Sequence, residues 1–273
     1  MSKFQIIYQS ADEEKSEVHW LWAKEAKLMK KYGVIVGTYP FIEMDSLLYR
    51  GSSSLATKYY ELDGRFINQK IHVENYLKMS IYYDLIQDLT IETFFVDDLN
   101  KNTEFEILNR GWEKAFIKSD IKSLEHIEEG MSIWPNNSLD VMKKYYSEVD
   151  YQGLFAVRNL MNQRELLLED RYWVLNGNVY HRSLKIPEIV KEAASRLNIW
   201  GSKYYTIDAT PNFIIEVNPG ESSDRYLVNP VKLFASWIKK EFTQEQIDLQ
   251  GVARGAYYLS IENSTSVTKL IKQ

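Results

Sequence analysis

Asn176-Gly177 is the tightest local constraint in the chain. A two-residue hairpin of the type I′ kind needs positive φ at both central positions, and Asn-Gly meets that need with little strain. Residues 165–175 before it are long and partly alternating, and residues 178–183 after it fit a returning partner. A second hairpin is expected from residues 204–209 and 213–218, joined around Thr210-Pro211-Asn212. Between the two hairpins Pro187 opens a predicted helix that runs to Leu197, because the first helical position needs no N–H.

The first half reads as strand, helix, strand. Residues 4–8 form a short apolar strand. Ser10-Ala11-Asp12-Glu13 reads as a capping box, and Val18, Leu21, Trp22, Ala26 and Met29 follow at helical spacing. Lys30 and Lys31 suit the end of that helix, Gly33 stops it, and Val34-Ile35-Val36 is a second strand, giving a βαβ unit with a parallel pair. Leu47-Leu48-Tyr49 reads as a third strand, followed by Arg50-Gly51-Ser52-Ser53-Ser54. Such a segment is either a polar loop or a place where backbone and hydroxyls approach an anion. Further along, the pattern predicts a helix over 74–89, strands over 90–96, 112–117 and 153–157, a helix over 139–149 and a final amphipathic helix over 230–242; a strand could begin at 252–255.

The expected fold is α/β with α+β lobes: a small N-terminal βαβ domain over residues 1–70, a two-lobed region over 71–245 and a C-terminal extension over 246–273. With 45% hydrophobic and 26% charged residues the chain is globular. It has no apolar run of membrane-spanning length and no secretory signal pattern. The absence of cysteine excludes disulfides and thiolate metal sites and fits a cytoplasmic location. A net charge of −5 argues against broad nucleic-acid binding. His19, His72, His126 and His181 show no metal-ligand spacing, and there is no Gly-Lys-Ser/Thr phosphate loop and no Gly-x-Ser-x-Gly elbow.

The second hairpin carries the chemistry. Glu216 and Asn218 are two apart and leave the same face of one strand, and Asp208 can fall near them across the turn. Two carboxylates and an amide oxygen are hard ligands suited to Mg²⁺. The residues alone leave open a second reading, a solvated face of an edge hairpin.

The stretch from Asp208 through Phe213-Ile214-Ile215-Glu216-Val217-Asn218-Pro219-Gly220 resembles the closing motif of the ATP-grasp superfamily. Glu169-Asp170-Arg171-Tyr172-Trp173-Val174-Leu175-Asn176-Gly177 is similar to that family's acidic-Arg hairpin and precedes the closing motif in the right order. Lys114-Ala115-Phe116-Ile117-Lys118 resembles its lysine strand, and Asn75-Tyr76-Leu77-Lys78 resembles a helix entry with a second lysine. The matches cover most of residues 70–235, and the likeness is to the short, divergent bacterial and phage members, which end in Asn-Pro-Gly and a Ser-Asp-Arg segment, here Ser223-Asp224-Arg225. Two departures stand out. Ser119-Asp120-Ile121-Lys122-Ser123 replaces a Gly-rich loop, and the hinge would be Val157-Arg158-Asn159-Leu160-Met161.

The resemblance implies an ATP-grasp fold behind a small N-terminal βαβ domain, and a ligase using ATP and Mg²⁺ on a carboxylate through an acyl-phosphate. It implies Mg²⁺ on Asp208, Glu216 and Asn218, phosphates on Lys78 and Lys118, Arg171 and Arg182 against the transferred group, and Arg158 and Glu165 toward the nucleotide. The implied partner is a small molecule or peptide bearing a carboxylate, and many members are homodimers. A phosphotransferase and a degenerate nucleotide-binding module are the alternatives. Without the motif order, each lysine reads as a solvated surface residue and Arg171 as a cross-strand ion-pair partner of Asp170.

Overall fold

The computed structural model describes residues 4–12, 17–40, 42, 44–121, 130–148, 150–160, 167–182, 185–224, 233–234, 255–260 and 267–272. Its first unit is a parallel sheet. β1 (Phe4–Tyr8) lies between β2 (Ile35–Thr38) and β3 (Ser46–Arg50), paired in parallel with both. The strands are short and apolar, as strands covered on both faces must be. α1 (Trp20–Lys31) covers one face with Trp22, Ala26 and Met29 against Phe4, Ile6 and Tyr8. α2 (Ser53–Leu62) covers the other, with Ala56, Tyr59 and Tyr60 against Ile7, Leu47 and Tyr49.

Two antiparallel sheets follow. The first joins β4 (Thr93–Val96), β5 (Ala115–Ser119), β6 (Ile133–Trp134) and β7 (Phe155–Asn159) in the order β4-β7-β5-β6. Its back face, with Ala115, Ile117, Phe155 and Val157, packs on α5 (Lys101–Asn109) and α6 (Leu139–Glu148) through Ile107, Met142 and Tyr146. The second joins β8 (Asp170–Leu175), β9 (Asn178–Tyr180), β10 (Tyr204–Ala209) and β11 (Ile214–Pro219) in the order β11-β10-β8-β9.

The two faces of this second sheet divide the labour by simple alternation. Tyr172, Val174, Tyr205, Ile207, Ala209 and Val217 form a core with α3 (Lys70–Leu77), α4 (Met79–Ile86) and α7 (Glu188–Leu197). On the opposite face Trp173, Leu175 and Tyr204 pack against the parallel sheet, leaving the remaining positions of that face for polar groups. The β8–β9 turn has Asn176 at φ 50° and Gly177 at φ 78°, the positive values its sequence predicts. β12 (Gly255–Ser260) and β13 (Val267–Lys272) pair antiparallel as a separate ribbon.

Several expectations shift. No helix starts at Ser10, which instead bridges to Val18; α1 starts at Trp20, with His19 Nδ1 accepting from the Leu21 N–H. The helix expected over 74–89 is two helices, because Lys78 leaves the helical region at φ −104°, ψ 117°. Ser53 and Ser54 open α2 instead of lying in a polar loop, and Ser52 caps it by accepting from the Leu55 N–H. α5 lacks a strong apolar stripe and was not expected, but Asn100 caps it. The strand beginning at 112 starts at Ala115, which places Lys118 inside it. The strand expected over 153–157 runs from Phe155 to Asn159, and the one over 165–175 starts at Asp170. Of the helix expected over 230–242, only 233–234 are among the described residues. No helix among the described residues is long and apolar enough to cross a membrane.

Candidate functional site

Strand register brings the predicted acids together. In the second sheet Arg171 stands opposite Asp208, and Asp208 opposite Glu216, so one row crosses β8, β10 and β11. The next row holds Trp173, Thr206 and Asn218 on the same face. Just past the first row the register shifts, and Ala209 pairs with Ile214, which leaves Ile215 bulged. The carbonyl of Ile215 then accepts from Arg158 Nη1 at 2.9 Å.

The polar groups of this face are paired with one another. Arg171 donates from Nε and Nη2 to both oxygens of Asp208, each at 2.7 Å, in a planar bidentate pair. Lys118, from the other antiparallel sheet, lies 3.0 Å from Glu216 Oε2. Asn218 Nδ2 donates to Asp208 Oδ2 at 3.1 Å and to Glu216 Oε1 at 2.9 Å. The site therefore lies where the two sheets meet. Lys118 is almost wholly buried, but the Glu216 side chain keeps 31% of its surface, so its carboxylate lines an open wall.

The electrostatics call for cations. Among the described residues, Glu169, Asp208, Glu216 and Asp224 interact with three positive groups, Lys118, Arg158 and Arg171. Burial pushes the Asp208 carboxyl above its ordinary value, against the pull of Arg171. Burial would also raise Glu216, but Lys118 and Asn218 outweigh it and hold that carboxyl down at about 2. Glu169 is pushed up to about 7, first by burial and then by Asp208 and Glu216. The residue as a whole is exposed, so solvent screens part of this shift.

Glu169 gives a pH prediction whose sign is fixed. Its folded value lies above the unfolded one of 4.5. The native state therefore holds the proton longer, and stability falls as pH rises from 4.5 to about 7. Glu169→Gln is expected to be the more stable form at pH 8 and to have lost the part of the slope between those values. Thermal unfolding of both proteins at pH 4.5 and pH 8 checks it; parallel curves would contradict it.

The residues fit a divalent cation in composition. Two carboxylates and an amide are hard donors, and the excess negative charge favours a positive ion. As placed, Asn218 offers hydrogens to both carboxylates. Holding a cation there needs Oδ1 in that position, which a half-turn of the amide supplies. Among the described residues no set of three or more His, Asp or Glu side chains forms a metal cage.

Other predicted residues lie elsewhere. Arg182 does not join Arg171: it donates to Asp170 Oδ2 at 2.8 Å. Asp170 stands opposite Ala209, so its side chain leaves the sheet face opposite to Arg171. His181 also meets Asp170, 2.9 Å from Oδ2, and its ring lies tilted against that of Tyr172, 4.5 Å between centres. Arg158 is in β7 and not in a hinge loop. Its guanidinium is buried on neutral acceptors, the Ile215 carbonyl and the hydroxyls of Thr90 and Thr93, where it ties the two sheets together. Lys78 is exposed, in the turn between α3 and α4, and makes no ion pair with a described residue. Glu165 lies outside the described residues. Sequence reasoning gave no role to Glu169, although its place two before Arg171 puts both on one face.

No family model and no curated protein matches the chain. Solved structures do. The D-cycloserine synthetase DcsG aligns at TM-score 0.60 and 10% identity, over 87% of this chain and 98% of that one. The D-alanine–D-alanine ligase of Bacillus anthracis, solved with ATP, aligns at 0.55 and 12%, over 87% and 96%. A RiPP-associated ATP-grasp ligase of Chryseobacterium gregarium, solved with ADP and a leader and core peptide, aligns at 0.54 and 12%, over 89% and 98%. At such identities the likeness is one of architecture, and that architecture, with its mixed helices and sheets, is the ATP-grasp fold.

Proposed function

We propose that this chain is an ATP- and Mg²⁺-dependent ligase that joins a carboxylate to an amine or other nucleophile through an acyl-phosphate. The observation that carries the reading is the Arg171–Asp208–Glu216 row, completed by Asn218 and met by Lys118 from the facing sheet. Neighbours of the same fold have been solved with ATP, and with ADP beside a peptide, which supports a nucleotide here and a small or peptidic carboxylate substrate.

In this reading Lys118 releases Glu216 and meets the phosphates of ATP. Asp208, Glu216 and Asn218 would hold Mg²⁺, which when bound would supply neutralisation of phosphate charge. A carboxylate oxygen of the substrate attacks the γ-phosphorus, the bond to the bridging oxygen breaks, and ADP leaves. The nucleophile then attacks the acyl carbon, phosphate departs, and the nucleophile loses its proton. Arg171 shares its charge between Asp208 and the transferred group. No covalent link to the protein is needed, because positioning and preorganised charge supply the catalysis.

Calorimetric titration with ATP, with and without Mg²⁺, tests the reading beside the Glu216→Gln variant. Mg²⁺-dependent binding that the variant weakens by about tenfold or more is expected. Phosphate release with paired carboxylates and amines is the next measurement. No ATP binding under either condition would sink the proposal.

A further inference from the structure

The break between α3 and α4 frees backbone donors that a helix start must place somewhere. One residue takes them. The Met79 N–H donates to the Asp120 carbonyl at 3.0 Å, and the Ser80 N–H donates to Asp120 Oδ1 at 2.6 Å. The Ser80 hydroxyl donates to Asp120 Oδ2. A carboxylate against the first turn of a helix is favoured by the exposed N–H groups and by the helix dipole. Asp120 is itself held from behind. Its N–H is shared between the Leu154 carbonyl, 2.8 Å away, and the Tyr151 hydroxyl, 3.0 Å away. The N–H of the preceding Ser119 donates to the Tyr146 hydroxyl at 2.9 Å. Asp120 is buried, and it lies two residues beyond Lys118.

We propose that Asp120 is a positioning residue that ties the turn carrying Lys78 to the end of the strand carrying Lys118, so that both lysines are presented to one nucleotide. This rests on the nucleotide reading above. Ser119-Asp120-Ile121-Lys122-Ser123 replaces the Gly-rich loop that the resemblance implies. A glycine loop binds phosphate through its own backbone. Here a side chain anchors the strand end to a helix start instead, and Lys78, exposed and without an ion pair to a described residue, is left to meet an outside anion.

Two readouts on the full chain test the tie: hydrogen exchange at the Met79 and Ser80 amides without nucleotide, and the Kd and KM for ATP beside kcat. Asp120→Ala is expected to speed exchange at the Ser80 amide, which loses its carboxylate acceptor, and less at the Met79 amide, which keeps the backbone carbonyl. It should weaken ATP binding about tenfold, roughly what one charge-assisted hydrogen bond contributes, with kcat within about threefold. Asp120→Asn, which keeps an acceptor for the Ser80 N–H, should recover most of the affinity. Ser80→Ala should act in the same direction but more weakly, and add little to Asp120→Ala. Unchanged exchange in Asp120→Ala would remove the tie. Faster exchange with ATP affinity within twofold would remove its role in positioning, as would kcat and KM worsening together without rescue by Asn. If the unaltered protein binds no ATP, the ligase reading falls first; if it binds and Asp120→Ala binds equally, only the role of Asp120 falls.

Discussion

Glu25→Leu is expected to destabilise the protein by about 3–5 kcal/mol, because it leaves a buried guanidinium without its counter-charge. Arg50 has no exposed surface and donates from Nε and Nη2 to the two oxygens of Glu25 at 3.0 and 3.1 Å. The Tyr8 hydroxyl adds a third bond to that carboxylate at 3.1 Å. Rings close the site: Arg50 lies 4.5 Å from the centre of Trp22 and 5.1 Å from that of Trp173. Water cannot replace the lost partner in such a place. The double change Glu25→Leu with Arg50→Met removes both charges and should regain most of the loss, since a buried pair contributes little net stability over apolar packing. Arg50 also donates to the Gly220 carbonyl, just past the strand that bears Glu216 and Asn218, so the single variant should loosen the site as well. Urea unfolding of the three proteins measures this. A cost below about 1 kcal/mol for Glu25→Leu would show that the ion pair is not what holds Arg50.

Lys118→Met is expected to lower ATP-dependent turnover by about 10²–10³-fold, the usual loss when one preorganised charge is removed from a phosphoryl-transfer or oxyanion site. Methionine keeps the length and packing of a buried side chain and deletes only the ammonium. The same change bears on Glu216, which Lys118 and Asn218 hold down at about 2. A depressed carboxyl contributes stability that is present above its unfolded value of 4.5 and is lost as pH falls through about 2. Without the lysine, burial prevails and the Glu216 value rises, so Lys118→Met should be destabilised near neutral pH and should lack the part of the acid slope between 4.5 and about 2 that the wild type owes to Glu216. Turnover assays and far-UV circular dichroism across an acid titration read the two effects separately. Undiminished turnover, or identical acid curves, would contradict the pairing.

Much of the site was legible because strand geometry is local. The spacing of Glu216 and Asn218 fixes one face whatever surrounds it, and Asn176-Gly177 fixes the turn before it. Arg182 shows the limit of that logic. It was expected beside Arg171 across the hairpin, but Asp170, one residue before Arg171, points the other way and captures it. Its partner was set by an alternation of one residue, which similarity of motif order does not resolve. The helix break at Lys78 was equally hidden. Residues 74–89 carry an unbroken helical pattern, and the acceptor that takes the freed N–H groups lies some forty positions away, at Asp120.

The sequence by itself determined the parallel β1-β2 pair, both hairpins, and the grouping of Asp208, Glu216 and Asn218, because periodicity and turn chemistry act over a few residues. Only the tertiary structure decided that Lys118 reaches Glu216 from another sheet, that Arg158 donates to the Ile215 carbonyl at the bulge, and that Glu169 joins the acids. Those outcomes depend on groups from different strands being brought together by tertiary packing, where Coulomb attraction and hydrogen bonding, not spacing, choose the partners.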